Sequence, residues 1–201
     1  MDIHVCTLRD KQEFQDDDGV AETLGISSAS WPLFGVVWTS GQVLARLMLD
    51  CEVGGRRVLE VGCGIGLASL VLSRRGVDIT ATDHHPSAED FLNKNAALNG
   101  DKAIPFVRTG WDDPDDGLGT FDLIIGSDIL YERDHIESLS NFIDRHARPK
   151  CEVIVVDPGR GQHAQFSKKM VELGYAHRQH KPEGMGDLEV PFKGQALHYI
   201  R

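Results

Sequence analysis

The run Val58-Leu59-Glu60-Val61-Gly62-Cys63-Gly64-Ile65-Gly66-Leu67 places an acid and three alternating glycines between an apolar strand pattern and a helical one. Glycine allows a sharp turn at a strand end and lets a ligand approach the backbone more closely than any Cβ would permit. The spacing narrows the ligand. A dinucleotide loop follows Gly-x-Gly-x-x-Gly and offers its amides to a pyrophosphate, whereas here the third glycine comes one place early and Leu67 follows it. Glu60 adds a negative charge that repels a diphosphate but suits a cation, such as the ammonium and sulfonium of S-adenosylmethionine. On this reading Glu60, Gly62, Cys63 and Gly64 border a nucleoside cofactor, with Cys63 serving as a small residue. The alternative is a tight strand-to-helix turn with Glu60 as a surface acid.

Asp83 closes a second strand pattern, Ile79-Thr80-Ala81-Thr82-Asp83, about 20 residues past the glycines, where a carboxylate can accept both ribose hydroxyls. Its other reading is a cap for the helix starting near Pro86. His84 and His85 follow; consecutive residues cannot readily face one metal from a strand, so no metal is expected, and one of the pair, taken as His84, falls beside the adenine. Trp111 could stack on the base and Asp112 accept from its amine, or Trp111 could plug the core. Phe121 to Gly126 reads as a buried strand delivering Ser127 and Asp128 beside the glycine loop. If the chain then turns helically, Asp128 and Tyr131 share one side and can flank an amine; the competing reading is an Asp helix cap with a packed tyrosine. Asp157-Pro158-Gly159-Arg160 reads as a turn.

The elements that must position these residues alternate, which calls for a parallel sheet covered on both faces. Strands are predicted near 57 to 61, 78 to 82, 103 to 107, 121 to 126 and 151 to 156, with helices at about 66 to 75, 87 to 99, 133 to 147 and 162 to 173. Pro86-Ser87 and Asn99-Gly100 supply start and stop signals for the second helix. Segments around Tyr175 to His180 and Ala196 to Ile200 form a closing antiparallel pair. The expected fold class is α/β: a Rossmann-like, doubly wound, seven-stranded, mostly parallel sheet with an antiparallel last strand. A covering helix is expected over Ser40 to Leu49. The 201 residues suit one domain, with 35–201 as its core and 1–34 as an extension, lid or short hairpin.

Composition restricts the partners. A net charge of −10 disfavours a nucleic acid, because binding a polyanion depends on Lys and Arg displacing counterions. The acids around Asp16 and Asp112 read first as solvated loops and second as an attraction for a lysine-bearing substrate. No apolar run approaches the ~20 residues that span a bilayer. Four scattered cysteines without a Cys-x-x-Cys pair, and a start lacking an export signal, point to a reduced cytoplasmic setting. A monomer is expected.

Taken together, Glu60 to Gly66, Asp83, Trp111-Asp112 and Asp128-Ile129-Leu130-Tyr131 resemble the seven-β-strand, S-adenosylmethionine-dependent protein-lysine methyltransferases, a likeness strengthened by Gly35-Val36-Val37-Trp38 ahead of a helix. The Asp-x-x-Tyr motif is its most specific part. The resemblance implies that Glu60, Gly62, Gly64, Asp83 and Trp111 hold S-adenosylmethionine, that Trp38 lines its methionine end and that Asp128 and Tyr131 face the transferred methyl. Ser127 and Cys63 are counted with the cofactor wall. Where related enzymes often carry Leu-x-Trp-Gly, this chain has Thr109-Gly110-Trp111-Asp112. The Asp-Pro-Gly-Arg run looks like that of members modifying the β-subunit of electron transfer flavoprotein. Ile129-Leu130 stands where nucleobase amino-methylating enzymes have two prolines. The implied activity is methyl transfer to a protein lysine; a small amine or a protein histidine is the alternative acceptor, and a non-catalytic S-adenosylmethionine-binding protein the second alternative.

Overall fold

A computed structural model describes residues 1–9, 15–114, 117–131 and 135–201. Seven strands form one sheet: β1 (Val58–Val61), β2 (Ile79–Asp83), β3 (Phe106–Arg108), β4 (Phe121–Ser127), β5 (Ala147–Asp157), β6 (Ala176–His180) and β7 (Gln195–Ile200). Their order is β3-β2-β1-β4-β5-β7-β6. Strands β1 to β5 are parallel, and β7 runs antiparallel to both β5 and β6. The expected fold class is borne out. The order reverses between β1 and β4, where Val61 pairs with Gly126, and such a switch point opens a crevice at the strands' C-terminal ends.

The period of two along each strand decides which helix each side chain meets. Val58, Leu123, Ile125, Ile154 and Val156 turn to one face, with Leu44, Met48, Leu70 and Leu92. These last come from α2 (Thr39–Asp50), α3 (Leu67–Arg74) and α4 (Ala88–Leu98). Leu59, Val61, Phe121, Ile124, Val153 and Val155 turn to the other face. They meet Phe142 and Phe166, from α5 (His135–His146) and α6 (His163–Glu172). Two separate apolar cores therefore hold the sheet from both sides, and α2 is the expected covering helix.

The end of α4 follows its sequence signal. Gly100 takes φ 69°, its N–H donates to the Ala97 carbonyl at 3.0 Å and Asp101 N–H donates to Ala96 at 2.9 Å, the pairing that satisfies the last carbonyls of a helix. Its start does not, since Ser87 makes no side-chain cap bond. Strand β5 begins at Ala147, directly after α5 and four residues before the expected 151, with an irregular register between Phe121 and Leu123 in the partner strand.

The described residues of the N-terminal region are tied down at several points. His4 and Cys6 N–H donate to the side-chain oxygens of Asn99 and Asn95 at 2.8 and 2.6 Å, and Leu8 N–H donates to Gly35 at 2.7 Å. A short helix α1 (Val20–Thr23) follows. Asp16 accepts from Ala21 and Glu22 N–H at 3.1 and 2.9 Å, so this acid holds the start of α1 rather than sitting free in a solvated loop. A 3-10 turn, Trp31–Gly35, leads into α2. Among the described residues no helix is long and apolar enough to cross a membrane.

Candidate active site

A cleft of about 540 Å³ opens at the switch point, within the size range of small-molecule sites. Trp38, Glu60, Gly62, Cys63, Gly64, Asp83, His84, Trp111, Ser127, Asp128 and Tyr131 all line it, so every residue singled out from the sequence meets the others there. Ile26, Ser30, Leu33 and Phe34, from the expected extension, border the same space.

The loop after β1 needs its glycines for the protein's own packing as well as for any ligand. Gly64 has φ 54°, and a Cβ there would lie 2.9 Å from the Phe34 carbonyl oxygen. That close approach seats the N-terminal segment against the loop. Gly64→Ala should therefore lower the thermal midpoint and the affinity for a nucleoside ligand together; a variant that binds and melts as wild type would remove the close-packing argument.

Strand alternation turns Glu60 toward the α3 face, where it is not the surface acid of the alternative reading. It is buried and accepts from Ser69 N–H at 2.8 Å and from the Ser69 hydroxyl. Burial outweighs those bonds and pushes its pKa up to about 7. The charge expected from sequence is thus only partly present near neutrality. Between the ordinary 4.5 and about 7 the folded chain holds a proton that the unfolded chain releases, so stability falls as pH climbs through that window. Glu60→Gln keeps an acceptor for Ser69 without a buried charge. Its thermal midpoint should rise relative to wild type from pH 5 to pH 9, by at most about 3 kcal/mol of stability. An offset that does not change with pH would refute the burial argument.

Asp83 does not cap α4. Its carboxylate accepts from Gly64 N–H and His85 N–H, both at 2.8 Å, locking the end of β2 to the glycine loop. Loss of hydration raises its pKa. The two histidines divide their tasks. His85 stacks on Phe34 with centroids 3.9 Å apart, accepts from Ser87 N–H at 3.1 Å and is held neutral by burial, its pKa lowered to about 4. His84 faces the cleft, and its buried Nδ1 has no hydrogen-bond partner among the described residues. An orphaned polar atom in a cleft wall is suited to a ligand's polar edge. No group of three or more potential metal ligands occurs among the described residues.

Trp111 is half-buried, edge-on to His135 at 5.6 Å, so it packs on the α5 core and lines the cleft at once. Asp112 is exposed; the acid that organises this loop is Asp113, which accepts from Gly110 N–H at 2.6 Å. Trp38 donates its indole N–H to the Leu33 carbonyl at 2.9 Å.

No helical turn follows Ser127. Asp128 takes φ 55°, the one positive φ of a non-glycine residue among those described, and its N–H continues the sheet by donating to Val156 at 2.9 Å. The first described residue of α5 is His135, so Asp128 is no helix cap. Residues 132 to 134, of which the last two fall in the helix expected at 133 to 147, and Asp115-Asp116 lie outside the described residues. Asp128 and Tyr131 meet in the cleft through this left-handed kink instead, with Tyr131 exposed at its mouth.

Of the expected turn at residues 157 to 160, Arg160 lines the cleft. Arg160 forms a two-pronged pair with Asp128, Nε to Oδ1 at 2.5 Å and Nη2 to Oδ2 at 2.7 Å, and lies 5.9 Å from the Trp38 ring. Sequence offers no period linking positions 128 and 160; a basic residue in a glycine-bounded loop after a parallel strand was the only signal.

Residues 27–173 match the family model described as lysine methyltransferase. The chain belongs to that family. Among the curated relatives of this family member, the electron transfer flavoprotein beta subunit lysine methyltransferase of Xenopus laevis is 32% identical over 144 residues, covering 70% of this chain and 56% of that protein. The protein N-lysine methyltransferase METTL21A of Danio rerio is 35% identical over 115 residues, covering 52% of each chain. The chain thus spans about half the length of the curated relatives it matches. The fold is shared with magnesium protoporphyrin IX methyltransferase of Synechocystis, solved with bound S-adenosylmethionine, at a TM-score of 0.61 and 21% identity over 81% of this chain and 78% of that one.

Proposed function

We propose that this member of the lysine methyltransferase family uses S-adenosylmethionine to methylate a lysine side chain of a protein. The observation that carries the proposal is the convergence of Asp128 and Tyr131 on the same crevice as the glycine loop and Asp83. The residues suit the cofactor. Asp83 can accept from ribose, the unpartnered His84 Nδ1 and the Trp111 face suit a base, and the buried Glu60 gains from a nearby cation. Trp38, Ser127, Gly62, Cys63 and Gly64 complete the wall. One domain is proposed over 1–201, with Ile26, Ser30, Leu33 and Phe34 of the N-terminal extension bordering the cleft.

When bound, S-adenosylmethionine supplies a methyl activated by the sulfonium charge, and a neutral lysine amine displaces S-adenosylhomocysteine directly. The protein must hold the nitrogen in line and have it neutral. An ordinary lysine, with pKa about 10.4, is neutral in roughly one of a few thousand copies at pH 7, a deficit of about 4 to 5 kcal/mol. Desolvation in the cleft favours the neutral amine, whereas an ionised carboxylate alone favours the ammonium. Asp128 is therefore assigned to capturing and orienting the lysine, not to strong base catalysis. Tyr131 walls the nitrogen or positions it through its hydroxyl.

Four unbridged cysteines support the cytoplasmic setting, and the net charge of −10 supports a polypeptide over a nucleic acid. A monomer completes the proposal. Tritium-labelled cofactor incubated with cell extract tests it, followed by mass spectrometry of any labelled band. Methyl-lysine in a protein is the expected product; label in a small amine or on histidine would move the acceptor, and cofactor binding without label would leave a non-catalytic protein.

A further inference from the structure

The Asp128 carboxylate is not open to an incoming lysine. Both oxygens engage the Arg160 guanidinium, so the group assigned to the acceptor already carries a cation from its own chain. Asp128 is nearly enclosed, at 10% side-chain exposure, whereas Arg160 at 42% reaches it from the solvent side. The carboxylate is fixed by sheet backbone, through the Asp128 N–H bond to Val156. Its partner is mounted differently. Arg160 sits between Gly159 at φ 99° and Gly161 at φ 89°, and neither would meet any atom within 4 Å if given a Cβ. A two-glycine mount in open space lets the side chain leave without disturbing the fold.

Arg160 is also the one lysine or arginine among the described residues that line the cleft, whose lining includes Asp112 and Asp113. A lysine that takes Asp128 must displace this guanidinium. The exchange is most favourable if the acceptor brings a carboxylate for the displaced fork, because a charge-assisted, two-pronged bond is then made for the one broken. Neighbouring Lys or Arg residues on the acceptor would instead confront the freed guanidinium with like charge.

We infer that Arg160 is a specificity-determining latch, which closes Asp128 in the free protein and passes to an Asp or Glu beside the acceptor lysine as that lysine takes Asp128. The inference deepens the lysine reading above and rests on it. It assigns a substrate class: a lysine with an acidic neighbour, on a surface otherwise able to approach an acidic protein.

The test uses the full chain saturated with S-adenosylhomocysteine and two lysine peptides differing only in Glu or Gln beside the lysine. Affinities are measured by calorimetry, and the Arg160 Nε–H resonance is followed in nitrogen-15-labelled protein. Wild type should bind the Glu peptide about tenfold more tightly, a charge-assisted hydrogen bond's worth, with the Arg160 resonance shifting on saturation. Arg160→Ala should bring the two affinities within about twofold, Arg160→Lys should retain part of the preference, and Arg160→Glu should reverse it in favour of the Gln peptide. A merely structural arginine would alter both affinities alike. Equal wild-type affinities, a preference that survives Arg160→Ala, or a resonance unmoved by saturating peptide would overturn the latch. The underlying reading is probed separately with norleucine in place of the acceptor lysine. Norleucine peptides that bind as well as lysine peptides would overturn the lysine assignment, while the Glu and Gln comparison still reports on Arg160.

Discussion

Asp128→Asn is expected to slow methyl transfer by at least about 100-fold, the scale of a misplaced nucleophile, while leaving cofactor affinity within about twofold. Asparagine is the informative replacement because position 128 has φ 55°. Asn tolerates the left-handed region at least as well as Asp, whereas alanine would add roughly 1 to 2 kcal/mol of backbone strain and confuse the outcome. The amide keeps the side chain's size and one acceptor oxygen but removes the charge that draws a lysine in. It also breaks the ion pair with Arg160, so transfer should fall even though the carboxylate's former partner no longer blocks the way. Single-turnover transfer of a tritiated methyl, with calorimetric titration of S-adenosylhomocysteine as the control, measures both quantities. Wild-type turnover in this variant would remove Asp128 from the mechanism.

Asp83→Ala should act on the other half of the reaction, reducing cofactor affinity by about 100-fold or more and destabilising the fold. The size follows from three losses. Gly64 N–H and His85 N–H, each 2.8 Å from the carboxylate, are left without acceptors, at about 1 to 3 kcal/mol for each group that stays buried. The glycine loop loses its tie to β2, and the ribose loses its proposed acceptor. Asp83→Asn separates these contributions, because the amide oxygen can still hold one backbone N–H and preserve much of the thermal midpoint. If the ribose contact is real, both variants bind S-adenosylhomocysteine weakly, and neither discriminates against an analogue lacking the 2′-hydroxyl. Wild-type affinity in Asp83→Asn would leave Asp83 as a purely structural tie.

Glu60 shows how the same residue can be read correctly in place and incompletely in state. Its position before the glycines marks it as a cleft acid, but the charge it carries depends on Ser69, nine residues on along α3, and on exclusion of water. The adjacent histidines make the same point. His85 is consumed by Phe34 and the turn into α4, while His84 is left with an unpartnered nitrogen on the cleft wall. No property of the His-His pair itself distinguishes them; the direction of each ring is fixed by what packs around it.

The sequence by itself determined the sheet, the order of its elements and the neighbourhood of the cleft, because these follow from local periodicity. The apolar run in Phe121 to Gly126, the Asn99-Gly100 stop and the glycine spacing each act over a few residues. Tertiary structure alone decided the kink at Asp128 in place of a helical turn, the early start of β5 and the closure of Asp128 by Arg160. Each depends on groups far apart in the chain that meet only once the parallel strands have aligned. A single polar pair or a left-handed residue has no repeat to announce it, so its partner is chosen by the assembled fold.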